Sequence, residues 1–181
     1  MRPGAGPATT WSADAWAFLQ RNPDYRVARA AASLAPRYEE APFPIRIGSA
    51  RDRAAAEPWR LLAWEDPDGP VSPFWDIPML SCVLVAGEPP LVELAGAAGS
   101  SLSGLRIGEG VLVLKIERGD AAVQLCLTGA GRFPERGGIE LRHGVLNLPQ
   151  TMRRERDLWN LLGGPAPRPG RVRGAVGSGS L

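Results

Sequence analysis

Apolar residues recur at helical spacing near both ends of this chain, and in alternation or unbroken runs between them. Near the start, Trp16 and Leu19, with Phe18 beside them, give one apolar side to a helix predicted over about 13–21. Ser12 is placed to cap it and Asp14 suits its first turn, while Trp11 and Trp16 occupy the two positions of a hydrophobic staple. Asn22-Pro23 ends that helix and starts a second over about 23–34, because proline at the first helical position gives up no hydrogen bond. Residues 36–57 read as a connector, with Pro42 and Pro44 opposing helix and one short helical segment over 51–57. The run WRLLAW at 59–64 predicts a buried strand or a short apolar segment, stopped by Asp66-Pro67-Asp68-Gly69-Pro70.

From Met79 the pattern becomes that of strands. Residues 80–86 are an apolar run apart from Ser81, 91–94 suggest a short strand, and 95–104 are mostly small residues that read as a loop. The runs 111–117 and 121–127 flank Arg118-Gly119-Asp120, which predicts a hairpin. After a turn over 132–138, residues 139–141 and 145–148 can add short strands. A last helix is expected from about Pro149 to just before Gly163-Gly164, with an apolar stripe of Met152, Leu158, Trp159, Leu161 and Leu162. The expected fold is therefore α+β. One domain over 11–163 would combine an N-terminal helix pair (11–35), a central antiparallel sheet of about four to five strands (within 59–148) and one C-terminal helix (149–163). A flexible 1–10 and a disordered Arg/Gly/Pro tail over 164–181 would flank it.

Composition narrows the function classes. Of 181 residues 44% are hydrophobic and 22% charged, as in an ordinary globular domain, which excludes wholesale disorder. A formal net charge of +2 lacks the strong basic bias of a dedicated nucleic-acid binder. Lys115 is the single lysine among the basic residues. Cys82 and Cys126 sit in apolar runs and suggest two buried thiols in a reducing compartment. The first ten residues lack the apolar core of a signal peptide, and no run reaches transmembrane length, so a soluble cytoplasmic protein is expected.

Candidate chemistry is sparse. His143, in the turn Arg142-His143-Gly144, is the only histidine; a Ser/His/Asp or Cys/His arrangement could form only around it and no spacing supports either, while a zinc site lacks a close Cys pair or a second His. The loop GAAGSSLSG at 96–104 lacks the Gly-Lys-Ser/Thr ending of a phosphate loop, and GLRIGEG at 104–110 lacks the dinucleotide spacing. Glu39-Glu40 and Asp66 with Asp68 stand in loops without neighbouring ligands. No catalytic, cofactor-binding or metal residue is nominated, and no enzyme is expected. Arg21, Arg26 and Arg29 along the helix pair could form a phosphate- or partner-binding face. They could equally be a solvated face whose aliphatic stems cover apolar surface. On the last helix Arg153, Arg154 and Arg156 alternate with Glu155 and Asp157, which reads as solvated surface.

The segment WAFLQRNPDYR, residues 16–26, resembles the N-terminal signature of the proteobacterial transcriptional-regulator-like domain family. There a Trp-Glu-Phe-Leu-Arg-Arg-Asn-Pro-x-Tyr run precedes a domain related to RovC-like DNA-binding proteins. Trp16, Phe18, Leu19, Arg21, Asn22, Pro23 and Tyr25 match; Ala17 and Gln20 replace the usual Glu and Arg. Phe74-Trp75, after the acidic Pro-rich loop, fits a second feature of the family. The resemblance implies transcription regulation, with several members linked to mobile elements. It also implies a basic helix-turn-helix after the last helix, where this sequence has a Gly/Arg-rich tail. The expectation is a non-enzymatic regulator module acting through protein contact, with a separately encoded DNA-binding regulator or with itself. Exposed aromatic side chains near Trp11, Trp75 or Trp159 would anchor it. The alternatives are direct DNA binding through Arg21, Arg26, Arg29 and the tail, or a truncated or frameshifted N-terminal part of a larger regulator.

Overall fold

Two layers cover opposite faces of one mixed sheet, and the way each layer is held differs. The computed structural model describes residues 10–32, 37–39, 42–69, 72–86, 89–129, 133, 136–142 and 148–164. Its elements are α1 (Thr10–Arg21), α2 (Pro23–Ala31), β1 (Arg37–Glu39), β2 (Ile45–Gly48), α3 (Ala50–Ala56), β3 (Leu80–Ala86), α4 (Leu91–Ala97), β4 (Ser101–Ile107), β5 (Val111–Arg118), β6 (Ala121–Thr128), β7 (Gly137–Arg142) and α5 (Leu148–Leu161). The strands form one seven-stranded sheet in the order β1-β2-β4-β5-β6-β3-β7. The pairs β2–β4 and β3–β6 are parallel and the rest antiparallel.

The α+β class holds, but its details are corrected. The sheet is mixed rather than antiparallel and has seven strands rather than four or five, and five α-helices stand among the described residues. The 36–57 connector hides β1 and β2, three and four residues long, too short to print a period. Residues 91–94 are not a strand but the first turn of α4, which buries Leu91 and Ala95 four residues apart. The small-residue loop over 95–104 is partly α4 and partly β4. Gly104 belongs there because a Cβ would come within 3.0 Å of Ile45 and 3.2 Å of Phe43. α1 starts at Thr10, which puts Ser12 inside the helix instead of at its cap. Of the strand expected at 145–148, Leu148 instead begins α5; the rest of it, the side chain of Trp11, His143, residues 1–9 and the tail from 165 onward lie outside the described residues.

Other local expectations stand. Asn22 caps α2, its side chain accepting from the amides of Asp24 at 2.9 Å and Tyr25 at 3.3 Å. β5 and β6 pair with Arg118 opposite Ala121, so Gly119-Asp120 makes a two-residue turn in which Gly119 takes φ 58°. α5 ends as expected and buries Leu158, Leu161 and the following Leu162, although Met152 is exposed.

One face of the sheet is aliphatic. Leu112, Leu114 and Ile116 of β5, Val123, Leu125 and Leu127 of β6, and Leu80 and Cys82 of β3 pack with α4 and α5. The other face presents Leu105 and Val113, covered by Leu62, Ala63 and Phe74 from the irregular segment 61–79. Onto that segment pack α1, α2 and α3, through Trp16, Leu19, Tyr25, Ala56, Leu61, Trp64 and Trp75.

Candidate functional site: a loop pinned to the sheet beside a tryptophan-lined cleft

The segment 61–79 crosses the sheet without joining it. Its two arms close on each other: Leu61 and Trp75 form an isolated bridge, the Leu62 amide donates to the Phe74 carbonyl at 2.8 Å, and the Asp76 amide donates to the Arg60 carbonyl at 2.8 Å. Arg60 takes φ 60° to start this closed loop, a left-handed conformation unusual for arginine. A loop lying on a sheet leaves backbone polar groups without ladder partners, and buried groups of that kind need others. Side chains supply them.

Alternation along β5 and β6 puts Val113, Lys115 and Glu117 opposite Cys126, Gln124 and Ala122 on this face. Gln124 accepts from the Trp75 amide at 2.8 Å through Oε1 and donates to the Trp75 carbonyl at 2.8 Å through Nε2. Lys115, only 1% exposed, donates to the Ser72 carbonyl, lies 2.8 Å from Ser72 Oγ and stands over the Phe74 ring at 4.6 Å. Ser72 Oγ donates to Glu117 Oε1, and Glu117 Oε2 is 3.5 Å from Lys115 Nζ. From β2, Arg46 Nη1 reaches Glu65 Oε1 at 2.7 Å with both side chains buried. The Tyr25 hydroxyl donates to the Glu65 carbonyl at 2.8 Å and accepts from the Glu65 amide at 3.3 Å.

These surroundings shift the titrating groups. Burial pushes the Glu65 carboxyl up, against the pull of Arg46 and Lys115. Burial lowers Lys115, opposed by Glu117 and Glu65. Burial also raises the Tyr25 phenol to about 12, its ring being packed among Trp16, Trp59 and Trp64. The Cys82 thiol is pushed up to about 12, by burial first and by Cys126 second. Both thiols are free; they sit on neighbouring strands with side chains on opposite faces, since Ser81 and not Cys82 is the register partner of Cys126.

Beside the pinned loop lies a cleft of about 220 Å³, lined by Trp16, Trp75, Lys115, Glu117 and the Gly119-Asp120 turn among others. Its contributors come from α1, the 61–79 segment and the β5–β6 hairpin.

The residues that carry the resemblance divide by role. Trp16, Leu19 and Tyr25 are core, Asn22 is a cap and Pro23 opens α2. Phe18 is 63% exposed. The three candidate arginines do not share one open face. Arg26 forms a bidentate pair with Asp68 at 2.7 and 2.9 Å and donates to the Gln20 carbonyl at 2.9 Å. Arg21 donates to the Ala17 carbonyl at 2.8 Å within its own helix, and Arg29 is half-buried. The expected exposed anchors are corrected too: Trp75 is buried and Trp159 half-buried against the aliphatic core. Sequence reasoning missed Arg46, Glu65, Ser72, Lys115 and Gln124. A signal existed for two of them, since Lys115 and Gln124 interrupt apolar strand runs at positions that the hairpin register makes opposite.

Among the described residues no three His, Cys, Asp or Glu side chains converge as metal ligands, and no helix is long and apolar enough to cross a membrane. Compared with known proteins, the chain matches no family model, and neither a curated protein nor a solved structure shows a significant similarity to it.

Proposed function

We propose that this chain is a non-enzymatic regulatory module of the transcriptional-regulator-like kind, working through protein contact. The observation that carries the reading is Phe18. Its neighbours in the signature are all used by the fold, whereas this aromatic side chain is 63% exposed on α1, and Val27 on the adjoining α2 is 71% exposed. Large side chains left in water on two packed helices suit a partner surface, where aromatic residues contribute most of the binding energy. Its partner would be a DNA-binding regulator or a second copy.

Light scattering of the purified chain, alone and mixed with DNA-binding regulators encoded beside it, tests this. A dimer or a complex is expected, weakened at least about tenfold by Phe18→Glu with Val27→Glu. Those surface changes should move stability by no more than about 0.5 kcal/mol. A monomer that joins none of these proteins, or a complex indifferent to the double change, would refute it. Direct DNA binding through Arg21, Arg26 and Arg29 has less behind it, because Arg26 is already engaged by Asp68.

A further inference from the structure

The two edges of the sheet are not alike. At one end of the strand order β7 has Gly137 and Gly138 buried, so its first residues are already covered. At the other end β1 pairs with β2 alone, and Arg37, Tyr38 and Glu39 are all exposed. Backbone N–H and C=O groups alternate in direction along a strand, so an edge strand offers part of them to whatever pairs next. Among the described residues no other backbone hydrogen bond reaches β1. The side chains alternate as well. Tyr38, opposite Arg46, stands on the face covered by the 61–79 segment and is 55% exposed. Arg37 and Glu39, opposite Ile47 and Ile45, share the other face. Glu39 accepts from Arg106 at 3.3 Å yet keeps its side chain 44% exposed, and Arg37 has no ion-pair partner among the described residues.

Short edge strands that carry charge ordinarily resist pairing with other chains. Here the charges are opposite in sign and two residues apart, which reverses that effect for one partner, a second copy of the same strand. Parallel pairing in register would set Arg37 beside Arg37 and Glu39 beside Glu39. Antiparallel pairing slipped by two residues would set like charges directly opposite. Antiparallel pairing centred on Tyr38 instead puts Arg37 of each copy opposite Glu39 of the other, and the two Tyr38 rings opposite each other. Directly opposed Cβ atoms in such a ladder lie about 4.5–5.5 Å apart, close enough for ion pairs and ring contact. A two-fold axis through the Tyr38 pair, normal to the sheet, relates the copies, so the same patch serves on both. We infer that the β1 edge is a self-association site, where a second copy of this chain continues the sheet by antiparallel pairing of Arg37–Glu39 with its own two-fold mate.

In that pairing Glu39 lies between two cations, Arg106 of its own chain and Arg37 of the other. The site is distinct from the Phe18 and Val27 surface on α1 and α2, and each stands or falls without the other. Its extent sets its strength. Three residues a side bury less than the ~1,200–2,000 Å² of a standard interface, which puts this dimer among weak, concentration-dependent associations.

Sedimentation of the full chain over a wide concentration range tests this, with amide NMR to locate the contact. A monomer–dimer equilibrium is expected, with the amides of 37–39 among the signals that move on dilution. Arg37→Glu leaves two carboxylates on the edge, and Glu39→Arg leaves two guanidinium groups. Each change alone should therefore weaken the dimer about tenfold or more. An equal mixture of the two variants should recover it, because every opposed pair then carries one charge of each sign. Phe18→Glu with Val27→Glu should leave this equilibrium unchanged. With both variants shown to be folded by their amide spectra, a mixture that recovers nothing would overturn the site. So would a chain still monomeric at about 1 mM, or single variants that dimerise as well as the unchanged chain. A dimer dissolved by Phe18→Glu with Val27→Glu but indifferent to Arg37→Glu would assign self-association to the helix pair instead.

Discussion

The two faces of the sheet solve the same problem, covering a pleated surface, by unlike means. Under α4 and α5 the contact is aliphatic, and the helices satisfy their own backbone groups. Apolar burial there is non-directional, about 25 cal/mol per Å², and any well-shaped apolar stripe can provide it. Under the 61–79 segment the cover is irregular chain, and the sheet answers with polar side chains. Gln124 takes both backbone groups of Trp75, Tyr25 both of Glu65, and Lys115 the carbonyl of Ser72. Each acts as a substitute ladder. Directional partners of this kind fix one placement of the loop, and therefore the walls of the cleft beside it.

The difference can be broken on each side. The largest loss is expected from Glu65→Ala, which leaves Arg46 buried and unpaired; urea unfolding should show a cost of about 3–5 kcal/mol. The double change Arg46→Met with Glu65→Leu should recover most of it, since an apolar pair of similar size removes the stranded charge. A double mutant as unstable as the sum of its singles would contradict the pairing. Leu125→Ala, fully buried on the aliphatic face, should cost about 2–5 kcal/mol with no partner change able to rescue it. Hydrogen exchange sharpens the contrast: Glu65→Ala should release the amides of 61–76 selectively, and Leu125→Ala should lower protection across the sheet. The smallest effect belongs to Tyr25→Phe, about 0.5–1.5 kcal/mol near neutral pH for the lost hydroxyl bonds. It carries a pH signature. With the folded phenol raised to about 12 from 10.0, the native state holds more protons in that interval. The stability Tyr25 contributes is therefore complete below about pH 10 and lost as pH rises through about 12. Tyr25→Phe should flatten part of the alkaline loss, with Cys82 supplying another part; an unchanged slope would show that the phenol is not held this way.

How much of this was legible depends on distance along the chain. The Asn22 cap, the Gly119-Asp120 turn and the extent of α5 rest on contacts within a few residues, and each reads directly from residue types. α4 was misread because four apolar residues fit a strand or a helix equally well. The candidate site was nearly silent. Gln124 and Trp75 are 49 residues apart, and Tyr25 and Glu65 are 40 apart, so no local period relates them. Trp75 read as a potential anchor, and only the bridge to Leu61 and the bonds to Gln124 turn it into core.

By itself the sequence determined the α+β class, the helix pair with its Asn22 cap, the β5–β6 hairpin and the terminal helix, because propensity, caps and turn chemistry act locally. The tertiary structure alone decided the parallel pairings of β2 with β4 and β3 with β6, the burial of Lys115, and the meeting of Trp16, Trp75, Glu117 and Asp120 around one cleft. Those depend on which distant segments share a face of the sheet, and that is settled by packing and by the need to pair every buried polar group.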